Sequence, residues 1–148
     1  MLELDIVPEA WKRQSLEVGQ VLRMEMDEGD GITPKPGKTS KLKRFVIIGS
    51  FQDAVVAALV INSDINDHFL EKKGAFQHHI FKRDYAFLDH NSFVDGFLLR
   101  EFSVARVLET AQYLGRLGDQ DVANSIQCVL DSPMVKPYLI SKYKLKKG

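Results

Sequence analysis

Residues 44–62, RFVIIGSFQDAVVAALVIN, set two almost unbroken apolar runs on either side of the dipeptide Gln52-Asp53. Both runs are rich in Val, Ile, Leu and Phe, which favour extended backbone packed on neighbouring strands. Each is short and the link between them is polar, so a hairpin is predicted. Neither run alternates apolar with polar residues, so both strands are expected to be covered on most of their surface. The first run begins at Arg44, and the second stops in Asn62, Ser63, Asp64 and Asn66. A hairpin that folds back on itself brings that arginine near those small polar side chains.

The flanking sequence reads as further strands. Gly19 to Asp30 alternates, with Leu22, Met24 and Met26 against Arg23, Glu25 and Asp27, the period-two pattern of a half-covered strand. Glycines and prolines in EGDGITPKPGKTSK exclude regular structure, so a long loop is expected over 27–43. HHIFKRDYAFL and SFVDGFLLREF are two more strand candidates, making five. Residues 5–18, around Trp11, are ambiguous between strand and helix. From Ser103 the period changes: Val104, Val107, Leu108, Ala111 and Leu114 recur at helical spacing behind Ser103 as N-cap. Asp119 is placed to cap a second helix with Val122, Ile126, Val129 and Leu130 as its buried stripe, and Ser132-Pro133 to open a further turn. The expected fold class is α+β, mainly β: a small SH3-like antiparallel barrel followed by C-terminal helices. One domain is expected over 1–148, with the barrel in 1–102 and a helical extension in 103–148.

Charge and cysteine content narrow the chemistry. Lys and Arg balance Asp and Glu at 20 each, which argues against a surface wholly given to nucleic-acid binding. The distribution is uneven, because Lys35, Lys38, Lys41, Lys43 and Arg44 follow one another without an acid. The tail from Lys136 repeats that pattern. These segments are either solvated loops or a local anion-attracting surface. No apolar run approaches the roughly 20 residues of a membrane helix. The start lacks a secretory pattern, and the single Cys128 fits a reducing compartment, so a cytoplasmic location is expected. His68, His78, His79 and His90 lack the spacing of a metal site. No metal or other cofactor is expected, although a histidine-based metal hydrolase is an alternative that bound metal would reveal. Phe81, Tyr85, Phe87, Phe93, Phe97 and Phe102, interleaved with Lys82, Arg83 and Arg100, either fill a barrel core or stack on single-stranded bases.

In pattern order the chain resembles the PemK/MazF-type toxin family over about residues 19–110. Gly19-Gln20-Val21 stands for the opening strand and Arg44-Phe45-Val46-Ile47-Ile48 for the arginine-led apolar strand. Ile61-Asn62-Ser63 stands for the hydroxyl-bearing strand end, and Ser92 to Ser103, with Arg100, for the last strand and helix cap. Phe45 replaces the family's usual proline, and Gly96-Phe97 replaces its Asp-Gln step. The resemblance implies a metal-independent endoribonuclease of a toxin–antitoxin system, with RNA, an antitoxin and a second copy of the chain as partners. It implies Arg44 and Ser63 as catalytic residues and Lys41, Lys43, Asn62 and Arg100 as substrate-binding residues. RNA transesterification needs a base, an acid and a cation for the phosphorane; Arg44 suits the last role, and the acid and base are left open among the four histidines, Asp27 and Asp95. The alternative is a non-catalytic SH3-like module that binds a protein or nucleic acid, with Arg44 ending a basic loop and Asn62-Ser63-Asp64 a plain strand-closing turn.

Overall fold

The computed structural model describes residues 16–63 and 74–146. Trp11 and His68 lie outside them. Seven strands, β1 (Gln20–Met26), β2 (Lys41–Phe51), β3 (Val55–Asn62), β4 (Gln77–Ile80), β5 (Ser92–Asp95), β6 (Arg100–Ser103) and β7 (Gln112–Arg116), form one antiparallel sheet. Its order is β4-β5-β3-β2-β1-β7, and β6 pairs the first half of β3 while β5 pairs its end. Three helices, α1 (Val104–Thr110), α2 (Asp119–Asp131) and α3 (Pro137–Lys142), complete the described fold. The mainly β, antiparallel architecture with C-terminal helices is the one the sequence predicts.

β2 and β3 form the predicted hairpin. Gln52 and Asp53 sit at φ 53° and 52°, so two non-glycine residues take left-handed backbone to turn the chain between buried strands. Burial on both faces of these strands is nearly complete. Val46, Ile48, Ala57, Leu59 and Ile61 point into one core with α2 and the C-terminal segment. Phe45, Ile47, Val56, Ala58 and Val60 point into a second core with Met24, Met26, Phe102 and α1. Each fully covered Val, Ile or Phe side chain contributes about 1.5–3 kcal/mol, so the hairpin is the fold's main source of cohesion. The sheet also curls: Phe87, which follows the β4 edge, packs against Gly115 on the β7 edge, and Gly118 donates its N–H to the Tyr85 hydroxyl at 2.9 Å.

Several boundaries differ from the sequence pattern. The stripe Val104 to Leu114 is helical only to Thr110; Gln112–Arg116 becomes β7, because β1 has a free edge to pair. SFVDGFLLREF splits into β5 and β6, which share one edge of β3. β4 ends at Ile80, and a 3-10 turn occupies Lys82–Asp84. The loop is shorter than expected, since β2 already starts at Lys41. Ser103 caps α1 by accepting the Arg106 N–H at 3.2 Å, as predicted. For α2 the cap is Gly118 rather than Asp119. Ser132-Pro133 does open a turn, with the Met134 N–H donating to the Ser132 hydroxyl at 3.2 Å, and the last helix starts separately at Pro137.

Gly96 breaks the β5–β6 run for a packing reason. A Cβ there would lie 2.5 Å from the Cys128 Cβ and 3.1 Å from the Val129 nitrogen, so α2 rests on bare backbone. Gly96→Ala is therefore expected to push α2 off the sheet and destabilise the protein by about 2 kcal/mol, lowering the melting temperature by roughly 4–8 °C in a thermal scan.

Candidate functional site: a cationic strand end

Strand parity decides which polar groups meet. Arg44 pairs Ile61 across β2–β3, and Ser63 lies two residues beyond Ile61, so Arg44 and Ser63 share the α2 side of the sheet. With Lys41, Leu42, Lys43, Ile61 and Ser92 they line a shallow pocket of about 130 Å³ at the strand end. The Arg44 Nη2 donates to an Asp89 carboxylate oxygen at 3.0 Å, while its buried Nε has no hydrogen-bond partner among the described residues. Asp89 is 76% exposed, so this is a weak, replaceable ion pair.

Lys43 and Asn62 project to the α1 side. The Lys43 ammonium donates to the Asn62 side-chain oxygen at 2.5 Å. Asn62 pairs Phe93 on β5, and Phe93 pairs His79 on β4, with the two rings stacked at 4.4 Å. Arg100, on β6, belongs to the same face as Phe102. Gly31 packs on its guanidinium, 3.4 Å from Cζ to an ideal Cβ, and the Arg100 Nε is buried without a partner among the described residues. Burial, then the charge of Lys41, pushes Lys43 down to about 8; Asp95 opposes this, and Arg100 and Arg44 add to it. Burial lowers Arg100 as well, against the pull of Asp95 and Asp30. The six residues expected to work together therefore divide between two faces that meet at one edge. That Lys43 is the cation most perturbed by its surroundings was not legible in the sequence, because it depends on β5 and β6 both lying beside β3.

The other groups are engaged elsewhere. Asp95 is buried and accepts from the Gln77 amide at 2.8 Å and from the Phe97 N–H at 2.9 Å. Adjacent histidines point oppositely, as expected: His78 bonds Asp121 of α2 at 2.8 Å, and His79 stacks between Phe93 and Phe81. His90 is an exposed turn residue whose carbonyl accepts the Ser92 hydroxyl. Asp27 and Asp30 cap a short turn reciprocally. Of the aromatic run, Phe102 is core, whereas Phe81, Tyr85, Phe87, Phe93 and Phe97 are half-buried. Among the described residues no group of three or more His, Cys, Asp or Glu side chains could hold a metal, and no helix is long and apolar enough to cross a membrane.

No family model matches the chain, and no curated protein matches it. Fifteen chains of solved structures match it in fold. One belongs to the crystal structure of MazE-MazF (Form-III) from Deinococcus radiodurans, with 11% identity and a TM-score of 0.51, covering 78% of this chain and 96% of that one. At that identity the likeness is one of fold.

The loop leaving β1 is clasped at its start. Arg106 grips both Asp30 carboxylate oxygens, at 2.7 and 2.8 Å, and this pairing holds Asp30 below the usual carboxylate range. Its folded value lies below its unfolded one, so the bond contributes fully above about pH 4 and is lost as pH falls through the folded value. Arg106→Met is expected to cost about 2 kcal/mol at pH 7 in denaturant unfolding, and the deficit should shrink steadily below pH 4.

Proposed function

We propose that this chain is a toxin-like, metal-independent endoribonuclease, acting as one domain on RNA in the cytoplasm and held in check by a cognate antitoxin, with a homodimer as the working form. The observation that carries this reading is the pairing of Arg44 and Ser63 on one wall of the strand-end pocket, in a fold like that of a MazE-MazF chain. The chemistry fits the groups present. Attack of a ribose 2′-oxygen on phosphorus forms one P–O bond and breaks the bond to the 5′-oxygen through a doubly charged phosphorane. Arg44, once a substrate phosphate displaces the exposed Asp89, presents guanidinium hydrogens to that charge. Ser63 donates a hydrogen bond to a non-bridging oxygen. Lys41, Lys43, Asn62 and Arg100 bind the strand on either side.

A second reading has its own support. Among the described residues the pocket lining includes no histidine, aspartate or glutamate. Asp89, the carboxylate on Arg44, is 76% exposed and is the group a substrate phosphate would displace, so it is a poor general base. That favours a module that binds RNA or a protein without cutting. Mixed-sequence RNA incubated with purified protein in EDTA separates the two. Under the ribonuclease reading, Arg44→Ala lowers kcat/KM at least a hundredfold with the melting temperature within about 2 °C of wild type. Wild-type protein that retains RNA and leaves it intact would establish the module instead.

A further inference from the structure

Lys43 and Arg100 stand out once the carboxylates around them are assigned. Asp30 is engaged by Arg106, Asp89 by Arg44, and Asp95 by the Gln77 amide and the Phe97 N–H. Among the described residues the Arg100 side chain donates no hydrogen bond, and the Lys43 side chain donates only to the neutral Asn62 amide. Two half-buried cations thus lie on one face of the sheet with no carboxylate in contact with either. Like charges crowd them further, from Lys41 and Arg44 on β2, with Asp95 on β5 and Asp30 in the loop as the opposing groups. Structural cations at this depth ordinarily hold an anionic partner. Among the described residues no carboxylate fills that role, which leaves room for an external anion.

The shape selects its chemistry. Arg100 carries a planar fork of donors, Lys43 a point charge, and Asn62 an amide fixed at the strand end. The Gly31 backbone packs against the guanidinium. Tetrahedral oxyanions match a fork and a point charge carried on one face of the sheet.

We propose that Lys43, Arg100 and Asn62 form a phosphate-binding site on the α1 side of the sheet, across the strand end from Arg44 and Ser63. Its role toward RNA rests on the ribonuclease reading: the strand wraps the sheet edge, with one phosphate at Arg44 and another at Lys43 and Arg100. Binding is coupled to a proton, because Lys43 is partly neutral near pH 8 when the site is empty and charged when an anion fills it. Affinity is accordingly close to full at pH 7, falls as pH rises through about 8, and keeps falling above it.

Calorimetric titration at pH 8, in buffers of different ionisation enthalpy, tests this with two probes: a 2′-O-methyl RNA tetranucleotide, which cannot be cleaved at its own 2′-position, and inorganic phosphate. Wild-type protein should take up about half a proton per tetranucleotide bound and lose roughly tenfold in affinity between pH 7 and 9. Lys43→Arg, which keeps the charge and cannot titrate in this range, should bind at pH 7 within about threefold of wild type, take up no proton and show no fall to pH 9. Arg100→Gln should bind at least about tenfold more weakly throughout. Proton uptake with inorganic phosphate but none with the tetranucleotide assigns the site to the free anion rather than to a nucleic-acid strand. Unchanged proton uptake in Lys43→Arg, or wild-type affinity in Arg100→Gln, would overturn the proposal. Proton-coupled binding in a wild-type protein that leaves ordinary RNA uncut would remove the ribonuclease reading and leave this site standing.

Discussion

The whole arrangement depends on the β2–β3 pair being buried on both faces at once. A hairpin covered on one side could scatter charged groups along its open face. Here each position from Phe45 to Ile48 and from Val56 to Ile61 is sealed by one of two cores, so polar side chains are admitted only where the pair runs out. At that end the first strand supplies Lys41, Lys43 and Arg44, and the second supplies Asn62 and Ser63. The concentration of chemistry at one rim follows from the absence of room for it elsewhere on the two central strands.

The same constraint explains the glycines and the split strand. Both faces of β3 must be covered, yet its length exceeds what a short neighbouring strand can pair. Two short strands, β5 and β6, share the task, and the break between them falls at Gly96, where the α2 backbone reaches the sheet. This division brings Asp95 and Arg100 toward Lys43, since both flank the residues that face Phe45 and Lys43. A continuous strand in the β5 register would have set Arg100 opposite Val55, three residues further from Lys43 and on the α2 side of the sheet. Packing on the α2 side thus shapes the electrostatics of the opposite face.

The central hairpin and the α1 cap were legible in the sequence because they rest on local rules: a turn between two β-branched runs, and a serine hydroxyl at the first free N–H. What was not legible depends on tertiary competition. The apolar positions at 111 and 114 fit a helix as well as an edge strand, and the free edge of β1 decided for β7. Residues 81–87 have strand composition, yet they turn away to pack Tyr85 and Phe87 against the opposite edge. Arg44 and Ser63 could be paired from strand parity alone. The company of Lys43 could not, because its neighbours come from β5 and β6, 50 or more residues later in the chain.

Charge placement at the rim shows the same economy. With equal numbers of acids and bases in the chain, every cation could have had a partner, and several do: Arg106 holds Asp30, Arg116 holds Glu17, and Lys142 holds Glu101. These pairs fasten the loop, the start of the described chain and the last helix, where an ion pair adds rigidity at small desolvation cost. At the strand end the pattern reverses. Among the described residues Arg44 has an exposed, replaceable carboxylate, and Lys43 and Arg100 have none in contact. Leaving half-buried cations unpaired opposes folding. The fold tolerates that cost because the two large cores supply far more than the rim loses. What the unpaired rim retains in exchange is an affinity for anions that a satisfied ion pair would have extinguished.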